Sequence, residues 1–288
     1  MDNILELQQV SKRFPRSDFA LEDVTFSLPY GAVMGFVGEN GAGKTTTIGC
    51  ILNTIRKDKG TVKLFGREMQ DKDTDIREKI GVVYDGSNFP SYWNPRQLAQ
   101  VMDGLYTSWD GSLFQKYLED FHLPEGQKIK HYSKGMAMKL AIAAALSHHP
   151  QLLVLDEATS GLDPIMRDEM LDVFLTFIQE EEHSILLSSH ITSDLEKIAD
   201  HITFIHRGRL LMTASKNDLA YHYGVMRCRE NQFRALAPED ILAYRKRDLQ
   251  IDVLVRDKKE AERKYKDVVI DHVSVDEIML LLVKGEQV

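Results

Sequence analysis

The stretch GENGAGKT, Gly38 to Thr45, constrains this chain more than any other. The apolar run AVMGFV precedes it and the helical run TTIGCILNTI follows, and strand, glycine-rich turn and helix in that order are the context in which GxxxxGK[ST] holds phosphate. Gly38, Gly41 and Gly43 let backbone N–H groups curl around phosphate oxygens, and the positive end of the following helix favours the anion. Lys44 supplies a point charge for the β and γ phosphates, and the Thr45 hydroxyl is placed for an accompanying Mg2+. The loop therefore implies a bound nucleoside triphosphate.

A second strand, in LLVLDEATSGLD, ends in adjacent carboxylates. Strand side chains alternate faces, so Asp156 and Glu157 cannot do the same work. Asp156 suits the metal, and Glu157 suits orienting and deprotonating an attacking water. After the next strand, ILLSSHITSDLEK places His190 within reach of a γ-phosphate, and Ser189 or Ser193 can begin the following helix. A lone histidine after a strand is more often structural, so only the company of other motifs gives His190 a role.

The rest of the chain fits an α/β protein. ILELQQV, VTFSLP, AVMGFV, TVKLFG and KIGVVY read as strands, and helical periodicity takes over between residues 86 and 150, in NPRQLAQVMDGLY, GSLFQKYLEDFHL and HYSKGMAMKLAIAAAL. Strands return with LLVLDEA, SILLSSH and ITFIHRGRLL, interleaved with the helices IMRDEMLDVFLTFIQEEE and SDLEKIAD, which predicts a largely parallel sheet. From residue 221 to residue 288 a small two-layer α/β unit is expected, from PEDILAYRK, LQIDVLVRD, KKEAERKYK, DVVIDHV and DEIMLLLVKGE.

Composition narrows the setting. The net charge of −8 over 288 residues disfavours nucleic acid as a partner. Cys50 and Cys228 stand far apart, as in a chain of a reducing, cytoplasmic compartment. No apolar stretch approaches the roughly 20 residues of a membrane-spanning helix, so a membrane role has to come through a partner. His148 and His149 before Pro150 read as loop.

Taken in order, these motifs resemble the ATP-binding subunit of an ABC transporter, over roughly residues 4 to 220. The resemblance makes GENGAGKT the Walker A loop, with Asn40 and Thr46 added to the nucleotide contacts, and LLVLDE the Walker B strand. It makes SGLD at residues 160 to 163 the D-loop, His190 the switch histidine and Phe14 in SKRFP the aromatic that stacks on adenine. YSKGM stands where the family signature does, with Ser133 and Gly135 retained. The implied fold is a P-loop ATPase core at residues 1–220, mostly parallel with antiparallel N-terminal strands, carrying a helical subdomain at 86–150 and an accessory unit at 221–288.

The same resemblance implies ATP and Mg2+ as cofactors, a second copy or related ATPase chain across the nucleotide sites, and a separate integral-membrane permease. Lys44, Glu157 and His190 become the catalytic set. Two departures stand out: Asp85 occupies the position where the family often has a glutamine that senses metal and γ-phosphate, and Lys134 replaces the first signature glycine. Asp85 could still meet Mg2+, alongside Thr45 and Asp156. Lys134 could face phosphate or solvent. The SKGM form and the extra C-terminal segment resemble the exporter branch that includes pumps for peptide antibiotics. A soluble ATPase acting on DNA or the ribosome is the rival, disfavoured because Lys44 to Ser133 lacks sustained heptads and the chain has one GKT. Control of the ATPase by the C-terminal unit is a third reading. Phe89, Tyr92 and Trp93 fit either anchors for a membrane partner or the core of the helical insertion.

Overall fold

The computed structural model describes residues 2–86 and 88–286. In chain order, β1 (Asn3–Arg13), β2 (Ala20–Pro29) and β3 (Val33–Val37) lead into α1 (Lys44–Ile51), followed by β4 (Lys59–Leu64), β5 (Arg67–Glu68), α2 (Thr74–Glu78) and β6 (Ile80–Tyr84). The insertion contributes α3 (Pro95–Leu105), α4 (Gly111–Asp120) and α5 (Lys134–Leu146). The chain returns through β7 (Leu152–Asp156), α6 (Pro164–Phe177), β8 (Ser184–Ser189), α7 (Thr192–Ile198), β9 (His201–His206), β10 (Arg209–Ser215) and α8 (Lys216–Tyr221). It finishes with β11 (Gly224–Cys228), α9 (Glu230–Phe233), β12 (Ala243–Lys246), β13 (Ile251–Val255), α10 (Lys258–Lys264), β14 (Val269–His272) and α11 (Val275–Lys284).

The central sheet has the strand order β10-β9-β3-β8-β7-β6, parallel except for β10. Its inner strands β3, β7 and β8 are buried along their whole length, as expected of a parallel sheet covered on both faces. Alternation sends Met34, Phe36, Leu152, Val154 and Leu186 into one core, shared with α1 and with an antiparallel sheet of order β2-β1-β4-β5. Val33, Val37, Leu153, Leu155, Ile185 and Leu187 enter the other, shared with α5, α6 and α7. Each fully buried Leu, Ile or Phe contributes on the order of 2 kcal/mol, so the strand ends that carry the acids are held by a dense frame.

The insertion forms because its helices carry both caps and apolar stripes. Asn94 and Gln97 make a capping box with Pro95 at the first helical position of α3, and Asp110 caps α4 by accepting the Leu113 N–H. Leu98, Phe114, Leu118, Leu123 and Ile129 make its own small core. Helix α5 is apolar on more than one side, which lets it join two cores: Leu140, Ala143 and Ala144 face the insertion, while Met138, Ala141, Ile142 and Ala145 face the sheet. Phe89 and Trp93 pack against the insertion core, and Tyr92 stays 65% exposed.

Three expectations need correction. ITFIHRGRLL is two strands, because Arg207 and Gly208 both take positive φ (46° and 76°) and reverse the chain between β9 and β10. The helix beginning at Pro164 stops at Phe177 and does not run through the acidic residues 180–182; the His183 ring stacks on Phe177 and lies 2.9 Å through Nδ1 from its carbonyl. The C-terminal unit has three layers where two were expected. Its sheet, order β12-β13-β11-β14, places Ile251, Val253 and Val255 on the side of α10 while Leu254 faces α11. Helix α11 brings Val275, Ile278 and Leu281 into the same core as Leu195 and Ile198 of α7.

Candidate functional site

The phosphate loop lies between the end of β3 and the start of α1. Gly41 and Gly43 take φ of 81° and 116°, conformations that an L side chain resists, and Gly43 itself serves as the N-cap of α1. Gly38, where the loop leaves β3, has no room for a side chain, since an added Cβ would sit 2.4 Å from the Ile205 carbonyl oxygen. A cavity of about 330 Å3 opens over the loop, lined by Asn40, Gly41, Gly43, Lys44, Thr45, Thr46, Glu157 and Phe19.

Lys44 is buried, and its Nζ donates to the carbonyls of Gly38 (2.7 Å) and Glu39 (3.2 Å). The same ammonium lies 3.0 Å from Glu157 Oε1. The other oxygen, Oε2, is 2.6 Å from His190 Nδ1, so one carboxylate links the loop lysine to the histidine after β8. Glu157 holds φ at 56°, a left-handed backbone costing on the order of 1 kcal/mol for a residue with a side chain. Its N–H is fixed by the carbonyl and hydroxyl oxygens of Ser188 (3.1 and 3.2 Å). That turn aims the carboxylate at Lys44 and His190 and away from Asp156.

Asp156 is fixed differently. It is only 4% exposed, accepts from Thr45 Oγ1 at 2.7 Å through Oδ2, and accepts from Ser188 Oγ at 2.5 Å through Oδ1. The strand register Asp156↔Ser188 produces this contact. Burial first, and the Asp156 charge second, push the phenol of Tyr84 up from its ordinary value. Thr45 and Asp156 offer oxygen donors side by side, and such hard ligands fit Mg2+.

Of the residues singled out from sequence, Lys44, Thr45, Asp156, Glu157 and His190 meet at the ends of β3, β7 and β8. Asp85 follows β6, whose Tyr84 pairs with Asp156, and its Oδ1 is 2.8 Å from Lys134 Nζ. Phe14 lies in an adjoining cleft, where Lys12 Nζ stands over its ring at 5.7 Å and Phe19 is its aromatic neighbour at 6.5 Å. Phe19, unnoticed in the sequence, forms the wall of the loop cavity. Ser188 was also missed, because its value depends on which strand lies beside β7.

Neither Ser189 nor Ser193 caps the helix after His190: Ser189 Oγ accepts the Ile191 N–H at 2.9 Å, Ile191 is the N-cap, and Ser193 lies inside α7. Ser133 does cap α5, accepting the Met136 N–H at 3.2 Å. Gly135 is buried against α6, where an added Cβ would meet the Met166 sulfur at 2.0 Å. A side chain there would have to displace the flexible end of Met166, so the start of α5 packs directly on that side chain.

Comparison with known proteins agrees with this geometry. Residues 21–160 match the family described as ABC transporter. The chain is 32% identical over 213 residues to the bacitracin transport ATP-binding protein BcrA of Bacillus licheniformis, covering 73% of this chain and 69% of that one. The chain belongs to the ABC transporter ATP-binding family. It is likewise 32% identical over 213 residues to the lantibiotic transport ATP-binding protein SrtF of Streptococcus pyogenes, covering 73% of this chain and 90% of the relative. A solved ATP-binding subunit of an ABC transporter superposes with a TM-score of 0.68 at 26% identity, covering 75% of this chain and 91% of that chain. A dimeric ATP-binding cassette in a post-hydrolysis state with ADP and Pi shares the fold, with a TM-score of 0.66 at 18% identity over 74% of this chain and 98% of that one. This ABC protein is an ATPase that binds nucleotide. Among its described residues no helix is long and apolar enough to cross a membrane.

Proposed function

We propose that two copies of this ABC ATPase close around two ATP molecules and drive a separate membrane exporter of peptide or amphipathic cargo. The observation that carries the hydrolytic part is the Lys44–Glu157–His190 chain, 3.0 Å and 2.6 Å at its two links, beside the Thr45–Asp156 pair. Lys44 binds the β and γ phosphates. A triphosphate in the loop competes with Glu157 for that ammonium and leaves Oε1 facing the space a water must enter. Glu157 then orients the water and takes its proton, and His190 holds the carboxylate and reaches the γ-phosphate. Thr45 and Asp156 are the residues that would hold Mg2+, which supplies charge neutralisation to the phosphates when bound. Asn40 and Thr46 line the cavity as phosphate contacts, and Phe14 with Phe19 offers the aromatic face for the base.

The transport assignment rests on relatives named for bacitracin and lantibiotic transport, and these favour it over a machine acting on DNA or the ribosome. The ATPase domain is placed at 1–220 with its helical subdomain at 86–150, and the accessory unit at 221–288. Tyr92, the exposed aromatic of the insertion, is the anchor offered to the permease; nucleic acid has no place in this reading.

Ser133 and Gly135 sit at a helix start whose free N–H groups and positive end suit an anion. The second copy's γ-phosphate is the proposed occupant. Mixing tests it: a Lys44→Ala chain and a Ser133→Arg chain, each inactive alone, should at equimolar ratio recover up to about a quarter of wild-type turnover, since half of the dimers are mixed and one of the two composite sites in each is intact. No recovery at any ratio would mean that the turn does not act across an interface.

A further inference from the structure

Two residues of this chain are electrostatically misplaced when each is taken by itself. Asp85 puts a carboxylate directly after Tyr84, the residue paired in register with Asp156, and so close to where an anionic phosphate must lie. Lys134 puts a cation at the first residue of α5, against the positive end of the helix dipole. The structure joins the two faults: Lys134 Nζ lies 2.8 Å from Asp85 Oδ1. Joined, the carboxylate compensates the helix end and the ammonium compensates the acid beside the phosphate site.

A third segment frames the contact. Gly161, in the SGLD loop, has φ of 71°, and a Cβ added there would meet Lys134 Nζ at 2.9 Å and its Cδ and Cε at 3.5 Å. The lysine stem therefore passes over the bare backbone of that loop on its way to Asp85. The pair connects the helical insertion to the central sheet at its site-bearing end, with the loop between β7 and α6 as its floor. Both side chains are close to half exposed, 45% and 47%, so the attraction is screened and easily exchanged for another partner.

We infer that Lys134 is a positioning residue that acts within its own chain through Asp85, holding the Ser133–Gly135 turn in register with the end of β6, and not a phosphate ligand. The cation holds the turn; it does not touch the nucleotide.

Reciprocal charge changes decide the matter. Lys134→Asp and Asp85→Lys each place like charges in contact, and each should lower kcat by about fivefold or more with KM for ATP little changed. The exchanged double variant should return kcat to within about twofold of wild type. The neutral variants Lys134→Gln and Asp85→Asn should each cost less, and together no more than either alone. Because turnover presupposes the ATPase reading, the pair is also followed without it: amide hydrogen exchange across residues 131–137, with no nucleotide added, should quicken in either single charge variant and recover in the exchanged one. Recovery of exchange protection in a chain that hydrolyses no ATP would keep the pair and remove the ATPase reading. A rise in KM confined to Lys134 variants, with no rescue by the exchange in either readout, would overturn the proposal and make Lys134 a phosphate contact.

Discussion

Two neighbouring parallel strands each deliver an aspartate to the same face of the protein, and the two are held in opposite ways. Asp156 closes β7, is 4% exposed, and takes hydrogen bonds from Thr45 at the start of α1 and from the buried Ser188 of β8. Asp85 follows β6, its side chain is 47% exposed, and its cationic partner Lys134 comes from the insertion. One carboxylate is part of the buried frame; the other is a half-exposed contact between the central sheet and the insertion. In the reading proposed above, chemistry belongs to the buried acid and positioning to the exposed one.

The largest expected break in that contrast is Asp156→Asn, which removes charge from the oxygen pair beside Thr45 and should lower ATP turnover by about a hundredfold or more, measured by phosphate release. Asp85→Asn, by comparison, should cost only severalfold, and raising the salt from low to about 0.5 M should shrink the gap between it and wild type, because screening weakens an exposed pair. If both aspartates lost activity equally and without salt dependence, the contrast would disappear.

The smallest effect concerns a buried joint between the same two bodies. His148 is 1% exposed, stacks on Tyr106 at the end of α3 with ring centroids 4.1 Å apart, and lies 3.1 Å through Nε2 from the Ile80 carbonyl at the start of β6. Burial holds its pKa below the ordinary 6.5, with the backbone contacts only partly offsetting that. Unfolded chains therefore bind the extra proton first, so this site's contribution to stability is present above about pH 6.5 and declines as pH falls below it. The loss of melting temperature between pH 7.5 and 5.5 should be smaller by a degree or two in His148→Gln than in wild type. An equal loss would show that the ring titrates as if exposed.

How much of this was legible beforehand follows from the range of each interaction. Gly38 to Thr45 announce themselves because a phosphate loop needs its glycines, lysine and hydroxyl within eight residues, with strand and helix on either side. Ser133 was readable as a cap for the same reason, since its partner is three residues away. Ser188 was not, because it matters only through the register that sets it against Asp156. Phe19 and the Asp85–Lys134 pair needed distant segments brought together, and periodicity carries no such information. In the C-terminal unit GVMRC, now β11, passed unnoticed because a five-residue strand with four residues buried shows little alternation.

The central claim is that Glu157, tied to Lys44 and His190, is the base for hydrolysis in this ABC ATPase. Replacing it with glutamine keeps the size and the turn but removes the proton acceptor. Single-turnover measurements on Glu157→Gln should show ATP bound with nearly wild-type affinity and cleaved at least a hundredfold more slowly, within the range expected for a lost general base. Undiminished cleavage in that variant would contradict the account.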